Sequence, residues 1–173
     1  MSKFWIITDT HFGHDNIIKY CNRPENFADI IVNNWNKMIS ENDTVIHLGD
    51  VAWNNESLKI IEKLHGKKML VLGNHDYKSL SYYTNHGFDF VCNQLAMTMF
   101  GMDIIFTHKP LIFHEHDLNI CGHLHGMINI EGGNPCYSMA IEETKYKPLL
   151  LEYICNKLRP KLDNGETGML SLE

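Results

Sequence analysis

The sequence predicts an α/β fold with parallel strands, on three observations. The first half alternates short apolar runs with amphipathic stretches of helical length, the pattern of strands joined by helical crossovers. The second half changes to short strands separated by Gly or Asn. Five of these strands give out into Asp, Asn or His, and the crevice beyond strand carboxyl ends is where open α/β sheets bind ligands.

Taken in order, FWIIT (residues 4–8) is too short and too apolar for a surface helix and reads as a buried strand. A polar, Gly/Pro-marked stretch follows, with a short helix expected over Ile17–Cys21. Residues 27–40 put Ile30, Ile31, Trp35, Met38 and Ile39 on one helical stripe. NDTVIHLGD is a turn, a strand and a stop at Gly49-Asp50. NNESLKIIEKLHG reads as a helix capped by Asn54 or Asn55, with Gly66 just past its end. KKMLVLG is the next strand.

FDFVCN, NICGHLHG, MINIEG and CYSMAI read as further short strands, and QLAMTMFGMDIIFTH as two strands joined at FGMD. KPLLLEYICNKL reads as a last strand or a helix, the helix favoured. The 173 residues suit one domain, expected over 1–158, and the polar run from Arg159 reads as a loosely ordered tail over 159–173.

Composition narrows the function. Hydrophobic residues make up 44% of the chain, enough for a core, and the net charge of −6 argues against a broad basic face for nucleic acid. Five Cys with no CxxC suggest reduced thiols. MSKFWIITDTHF is too polar for a secretory signal and no apolar run approaches a membrane span. A cytoplasmic protein with no membrane partner is expected. Eleven His is a high count, and their positions decide whether it matters.

Those positions are strand ends: Asp9 and His11, then Asp50, then Asn74-His75-Asp76, then His108, then His123 and His125. Asp9 and His11 are two residues apart, as are His123 and His125, so each pair can turn toward one ion. Asp50 can bridge two cations, and Asn74 offers an amide oxygen without adding charge. Oxygen and nitrogen donors with no thiolate suit Mn, Fe, Co, Ni or Zn. Seven such residues are too many for one tetrahedral ion and suit two, sharing a carboxylate.

The ordered motifs DTH, GD, GNHD, a lone His and GHLH resemble the calcineurin-like metallophosphoesterase superfamily. THFGH and NIIKYCNRP are similar to small bacterial and phage members known only as predicted phosphoesterases. The resemblance implies an αββα sandwich of mixed sheets with a dinuclear site at the strand ends. It implies that Asp9, His11, Asp50 and His125 hold one metal, that Asp50 bridges, and that Asn74, His108 and His123 hold the other. Manganese is the favoured ion. It places His75 near the leaving-group oxygen, as proton donor or charge stabiliser, and implies in-line attack by a metal-bridging hydroxide. The commoner Gly-Ser near the end of the family's sheet is replaced by PCYSMAIEETKYKP.

Within GNHD, Gly73 is expected to let the chain turn and Asp76 to fix the loop or orient an imidazole. His14 reads as a phosphate contact or a loop brace. Arg23 suits bidentate phosphate binding, and equally a loop salt bridge. His114 and His116 are substrate-lining or surface residues, His47 an interior imidazole, and Trp53 a wall of the cleft or part of the core. The expected activity is hydrolysis of a small phosphate ester, a diester before a monoester. The rival readings are a nuclease on DNA or RNA ends, which the acidic balance opposes, and a protein-binding scaffold, which would not need a complete ligand set.

Overall fold

A computed structural model of the chain describes residues 2–128 and 131–173. Among these residues there are nine strands in two sheets. Strands β1 (Phe4–Ile7), β2 (Thr44–His47), β3 (Lys67–Val71) and β4 (Phe90–Cys92) run parallel, and β9 (Leu149–Leu150) adds antiparallel beside β1. The order is β4-β3-β2-β1-β9. The second sheet has the order β5-β6-β7-β8, from β5 (Leu95–Met99), β6 (Met102–Phe106), β7 (Leu118–Cys121) and β8 (Cys136–Ser138). Here β5 and β6 form an antiparallel hairpin while β6, β7 and β8 are parallel. Both sheets are mixed, as the resemblance implies.

Apolar packing explains the layers. Ile6, Ile46, Leu48 and Val71 of the first sheet share one cluster with Ile104, Phe106, Leu118 and Ile120 of the second. Burying each such side chain is worth about 1.5–3 kcal/mol, so the two faces close on each other. Leu151, Ile154, Cys155 and Leu158 of helix α5 (Leu151–Asp163) complete that cluster. The alternate side chains Trp5, Ile7, Val45 and Leu70 face a separate cluster. It is covered by helices α1 (Asn16–Tyr20) and α2 (Phe27–Met38) through Ile17, Phe27, Ile31 and Trp35.

Helix α2 buries Phe27, Ile31 and Trp35, spaced at one turn, while Met38 stays exposed. The helix expected after Asn54 is different in kind. Asn54 does cap it, accepting from Ser57 N at 2.9 Å, but only one α turn, α3 (Asn55–Leu58), precedes a 3₁₀ segment, Lys59–Lys63. The buried residues are Leu58, Ile61 and Leu64. A strict three-residue spacing aligns on a 3₁₀ helix, not an α helix. The short helix α4 (Leu80–Thr84), capped by Ser79, was not expected from the sequence.

The hairpin turns on Phe100 and Gly101, both at positive φ, as a two-residue loop between twisted strands requires. The strand expected over residues 127–132 falls on Asn129 and Ile130, which lie outside the described residues. Beyond Arg159 the chain is held to the second sheet. Helix α5 runs through Pro160 to Asp163, Leu170 is buried, and Leu170 N donates to Cys136 O at 2.7 Å. Strands β1, β2, β3, β6 and β7 all point their carboxyl ends to one edge, where the two sheets meet.

Candidate metal centre

At that edge the loops after β1 and β2 run side by side: Asp9 N donates to Gly49 O and His11 N to Asp50 O, each at 3.0 Å. The loop after β3 is tied to them by Asp76. Its Oδ2 accepts from Asp50 N at 2.7 Å and Gly73 N at 2.8 Å, and its Oδ1 from Val51 N at 3.1 Å. Asp76 is therefore the brace between two strand-end loops. The second sheet is joined by Asp9 Oδ2, which accepts from His123 N at 2.9 Å and from Thr8 Oγ1 at 2.6 Å.

Glycines make the approach possible. A Cβ on Gly73 would run into the Asp50 carboxylate, and one on Gly122 into Thr8 and Asp9. Gly73 opens the expected turn, with Asp76 N donating to Gly73 O at 3.2 Å, but its φ is not in the left-handed region, so what calls for glycine there is the room it leaves the Asp50 carboxylate. Gly49 does need its φ of 99°, and a Cβ there would also sit 2.9 Å from His108 Nδ1.

The structure brings all seven expected donors together. Nitrogen or oxygen atoms of Asp9, His11 and His125 converge in one group, and those of Asp50, His108 and His123 in a second. Asp50 Oδ2 stands between them, 3.6 Å from His11 Nε2 and 3.5 Å from His108 Nε2. Asp9 Oδ1 is 3.8 Å from His11 Nε2 and 3.7 Å from His125 Nε2. His108 Nε2 lies 3.0 Å from Asn74 Oδ1 and 3.1 Å from His123 Nδ1.

These groups fit a bound cation. Asp9 Oδ1 is buried and has no hydrogen-bond partner among the described residues. His108 Nδ1 is 2.8 Å from Leu48 O, so that nitrogen carries the proton and Nε2 presents a bare lone pair. That lone pair faces the amide oxygen of Asn74, two acceptors converging where a positive charge would satisfy both. Burial pushes the Asp9 carboxyl pKa up, against the attraction of His108 and His125. A bound cation reverses this logic. Burial, then Arg23, pushes His11 down to about 2, and burial with His108 takes His123 down to about 4. Both rings are neutral at pH 7 and free to donate lone pairs.

Glu142 was missed by sequence reasoning. Its Oε1 accepts from His125 Nδ1 at 3.0 Å and from Arg23 Nη2 at 2.7 Å. Burial opposes the His125 cation, but the Glu142 hydrogen bond and Asp9 raise its pKa overall. Glu142 thus fixes the His125 ring so that Nε2 faces Asp9, as a carboxylate commonly does for a metal-binding imidazole. Its only sequence signal was an acidic residue just past the CYSMAI strand, in the PCYSMAIEETKYKP stretch.

Of the two readings of Arg23, substrate binding is corrected and the loop salt bridge is the one that forms: Arg23 is 3% exposed and donates to Thr10 O, Asp9 O and Glu142. Its donors face the underside of the loop after β1, so it braces that loop and does not line the cleft. His14 and His75 do line it. The His75 side chain is 43% exposed, with Nε2 3.9 Å from Asp50 Oδ2. His114 and His116 lie against Pro135 O and Asp103, away from the cleft. His47 is fully buried, 3.0 Å from Thr10 Oγ1 and accepting from Gly49 N.

A family model described as calcineurin-like phosphoesterase matches residues 2–127. An uncharacterized protein of Methanocaldococcus jannaschii is 30% identical over 166 residues, covering 89% of this chain and 90% of that one. The gene 66 protein of Mycobacterium phage L5 is 30% identical over 84 residues, 44% of this chain and 41% of its own. A solved structure of a protein of unknown function from Aquifex aeolicus superimposes with a TM-score of 0.75 at 29% identity, over 90% of this chain and 99% of that one. Among the described residues no helix is long and apolar enough to cross a membrane.

Proposed function

The chain belongs to the calcineurin-like phosphoesterase family, and on that premise we propose that it hydrolyses a small phosphate ester, a diester in preference to a monoester, with two divalent cations at the strand ends. The observation that carries this reading is the pairing of two donor groups across Asp50, one of them containing the orphaned buried oxygen of Asp9. Asp9, His11 and His125 would hold one ion, Asn74, His108 and His123 the other, with Asp50 common to both. The donor set suits Mn, Fe, Co, Ni or Zn, and manganese is the first choice for loading.

When bound, such a pair lowers the pKa of a coordinated water and offsets charge on phosphoryl oxygens. The chain's own groups prepare the rest. Leu48 O and Glu142 accept hydrogen bonds from Nδ1–H of His108 and His125, which leaves each Nε2 lone pair to face a cation. His75, half-exposed at the mouth of the cleft, can give a proton to the leaving oxygen or offset its charge. Among the described residues no Lys or Arg side chain lines this cleft, Lys78 lying in the adjoining hollow past Trp53 and His75; the net charge of −6 favours a small substrate over a polymer gripped by its backbone.

The test is turnover of bis-p-nitrophenyl phosphate and p-nitrophenyl phosphate by protein reconstituted with Mn²⁺, alongside His75→Ala and Asn74→Ala. The diester should turn over faster. His75→Ala should lower kcat by about 10²–10⁴-fold, the usual share of general acid catalysis. Asn74→Ala should bind fewer ions per chain by metal analysis and lose activity. Full activity in Asn74→Ala would remove the second metal site. Reconstituted protein that retained no transition ion would end the reading.

A further inference from the structure

The cleft above the candidate metal centre has an aromatic wall that hydrolysis itself does not require. His14 stacks on Trp53, ring centroids 3.9 Å apart and planes within 6°. Tyr20 meets His14 edge-on at 6.3 Å. The row continues inward from Trp53 to His75 at 5.3 Å and from His14 to His11 at 5.5 Å. It therefore leads from solvent down to the histidines beside Asp50.

The two outer rings are open to solvent. Tyr20 is 67% exposed and Trp53 46%, whereas the other two tryptophans, Trp5 and Trp35, are buried. A single exposed aromatic is ordinary. Two in one continuous row, lining the same cleft as His11, Asp50 and His75, match the anatomy of a small-molecule site, where apolar walls surround a few convergent polar groups. The cleft holds about 400 Å³, within the range of such sites.

We infer that the phosphate ester carries a planar aromatic substituent of the nucleoside class, its base resting against the wall of Tyr20, His14 and Trp53 while the phosphate lies over Asp50. The position of the phosphate rests on the phosphoesterase reading; the aromatic wall does not. Stacking is tolerant of base identity because every base offers a π-face, so the wall selects for a base without choosing among bases. Among the described residues the cleft of about 400 Å³ is lined by no cationic side chain, and the one lysine of the adjoining hollow, Lys78, is too few for a backbone track, so the fit is to a mononucleotide-sized ester before a strand.

Adenosine, ribose, adenosine 5′-monophosphate and a short single-stranded oligonucleotide are titrated against the protein. Tryptophan emission is followed with red-edge excitation, and binding to variants is followed by saturation-transfer NMR. Trp53 is the exposed reporter, so adenosine should quench emission and bind at least about tenfold more tightly than ribose, the scale of base stacking on an aromatic side chain. Trp53→Phe should keep adenosine binding, while Trp53→Ala and Tyr20→Ala should each weaken it several-fold. Tyr20 is 67% and Trp53 46% exposed, so circular dichroism should match the parent.

Adenosine and ribose binding alike would overturn the inference, as would Trp53→Ala binding adenosine like the parent. An oligonucleotide binding more than about tenfold tighter than the mononucleotide would replace the small ester with a strand end. Adenosine binding needs no metal and no turnover. Failure to hydrolyse bis-p-nitrophenyl phosphate would therefore count against the phosphoesterase reading and leave the adenosine result to stand or fall by itself.

Discussion

Asp9, His11, Asp50, His123 and His125 hold φ values between 47° and 70°, a region that costs a non-glycine residue on the order of 1–3 kcal/mol. The surrounding hydrogen bonds, Asp76 to three amides and Asp9 to His123 N among them, hold those residues there. Strain of this kind aims side chains inward just as each strand ends. His47, two residues before Gly49, shows the other cost of the site. Burial lowers its pKa to about 3, against 6.5 in the unfolded chain. Between those values the unfolded state binds a proton that the folded state refuses. The contribution of neutral His47 is therefore complete above pH 6.5 and is lost as pH falls toward 3. Urea unfolding of His47→Gln should show an acid limb shallower by up to about 1.4 kcal/mol per pH unit. An unchanged limb would mean that His47 is not the residue responsible.

At the scale of elements, the loops after β2 and β3 behave as one unit because a single carboxylate collects their amides. Asp76→Asn keeps the shape but turns an NH₂ toward backbone donors that expect an acceptor. The loss should be about 1–3 kcal/mol, the cost of an unsatisfied buried group, read as a lower urea midpoint. Activity should fall with it, since Asp50 would lose its fixed amide. Asp76→Ala behaving like the parent would refute the brace. The 3₁₀ segment illustrates a different element-scale lesson. Leu58, Ile61 and Leu64 are three residues apart, a spacing that an α-helical reading of NNESLKIIEKLHG also tolerates, and only packing against the first sheet selected the tighter helix.

For the molecule as a whole, the two donor groups draw on both sheets: Asp9 and Asp50 follow strands of the first, His108 and His123 strands of the second. Cations bound there would link the two halves of the sandwich. Saturation at about a hundred times Kd should add about 2.7 kcal/mol per site. For a chain of this size that is a Tm increase of about 5–10 °C, measured by calorimetry with and without Mn²⁺ and reversed by a chelator. Asp9→Asn should lose part of the increase. A Tm indifferent to metal in the parent protein would contradict folded-state metal binding.

The sequence by itself determined the strand-end donors and the alternation that makes parallel strands. Both are local properties: an apolar run names a strand, and the Asp, Asn or His after it names what that strand delivers. Only the tertiary structure decided who meets whom. Arg23 turned beneath the loop to Glu142, 119 residues away. Tyr20 and Trp53 joined one wall through His14. FVC was recruited to the edge of the first sheet, and the residues after Arg159 were held against β8. Each of these depends on contacts between segments far apart in the chain, and the free energy of such contacts comes from burial and hydrogen bonding that exist only once the two sheets have closed. No period or motif along the chain carries that information.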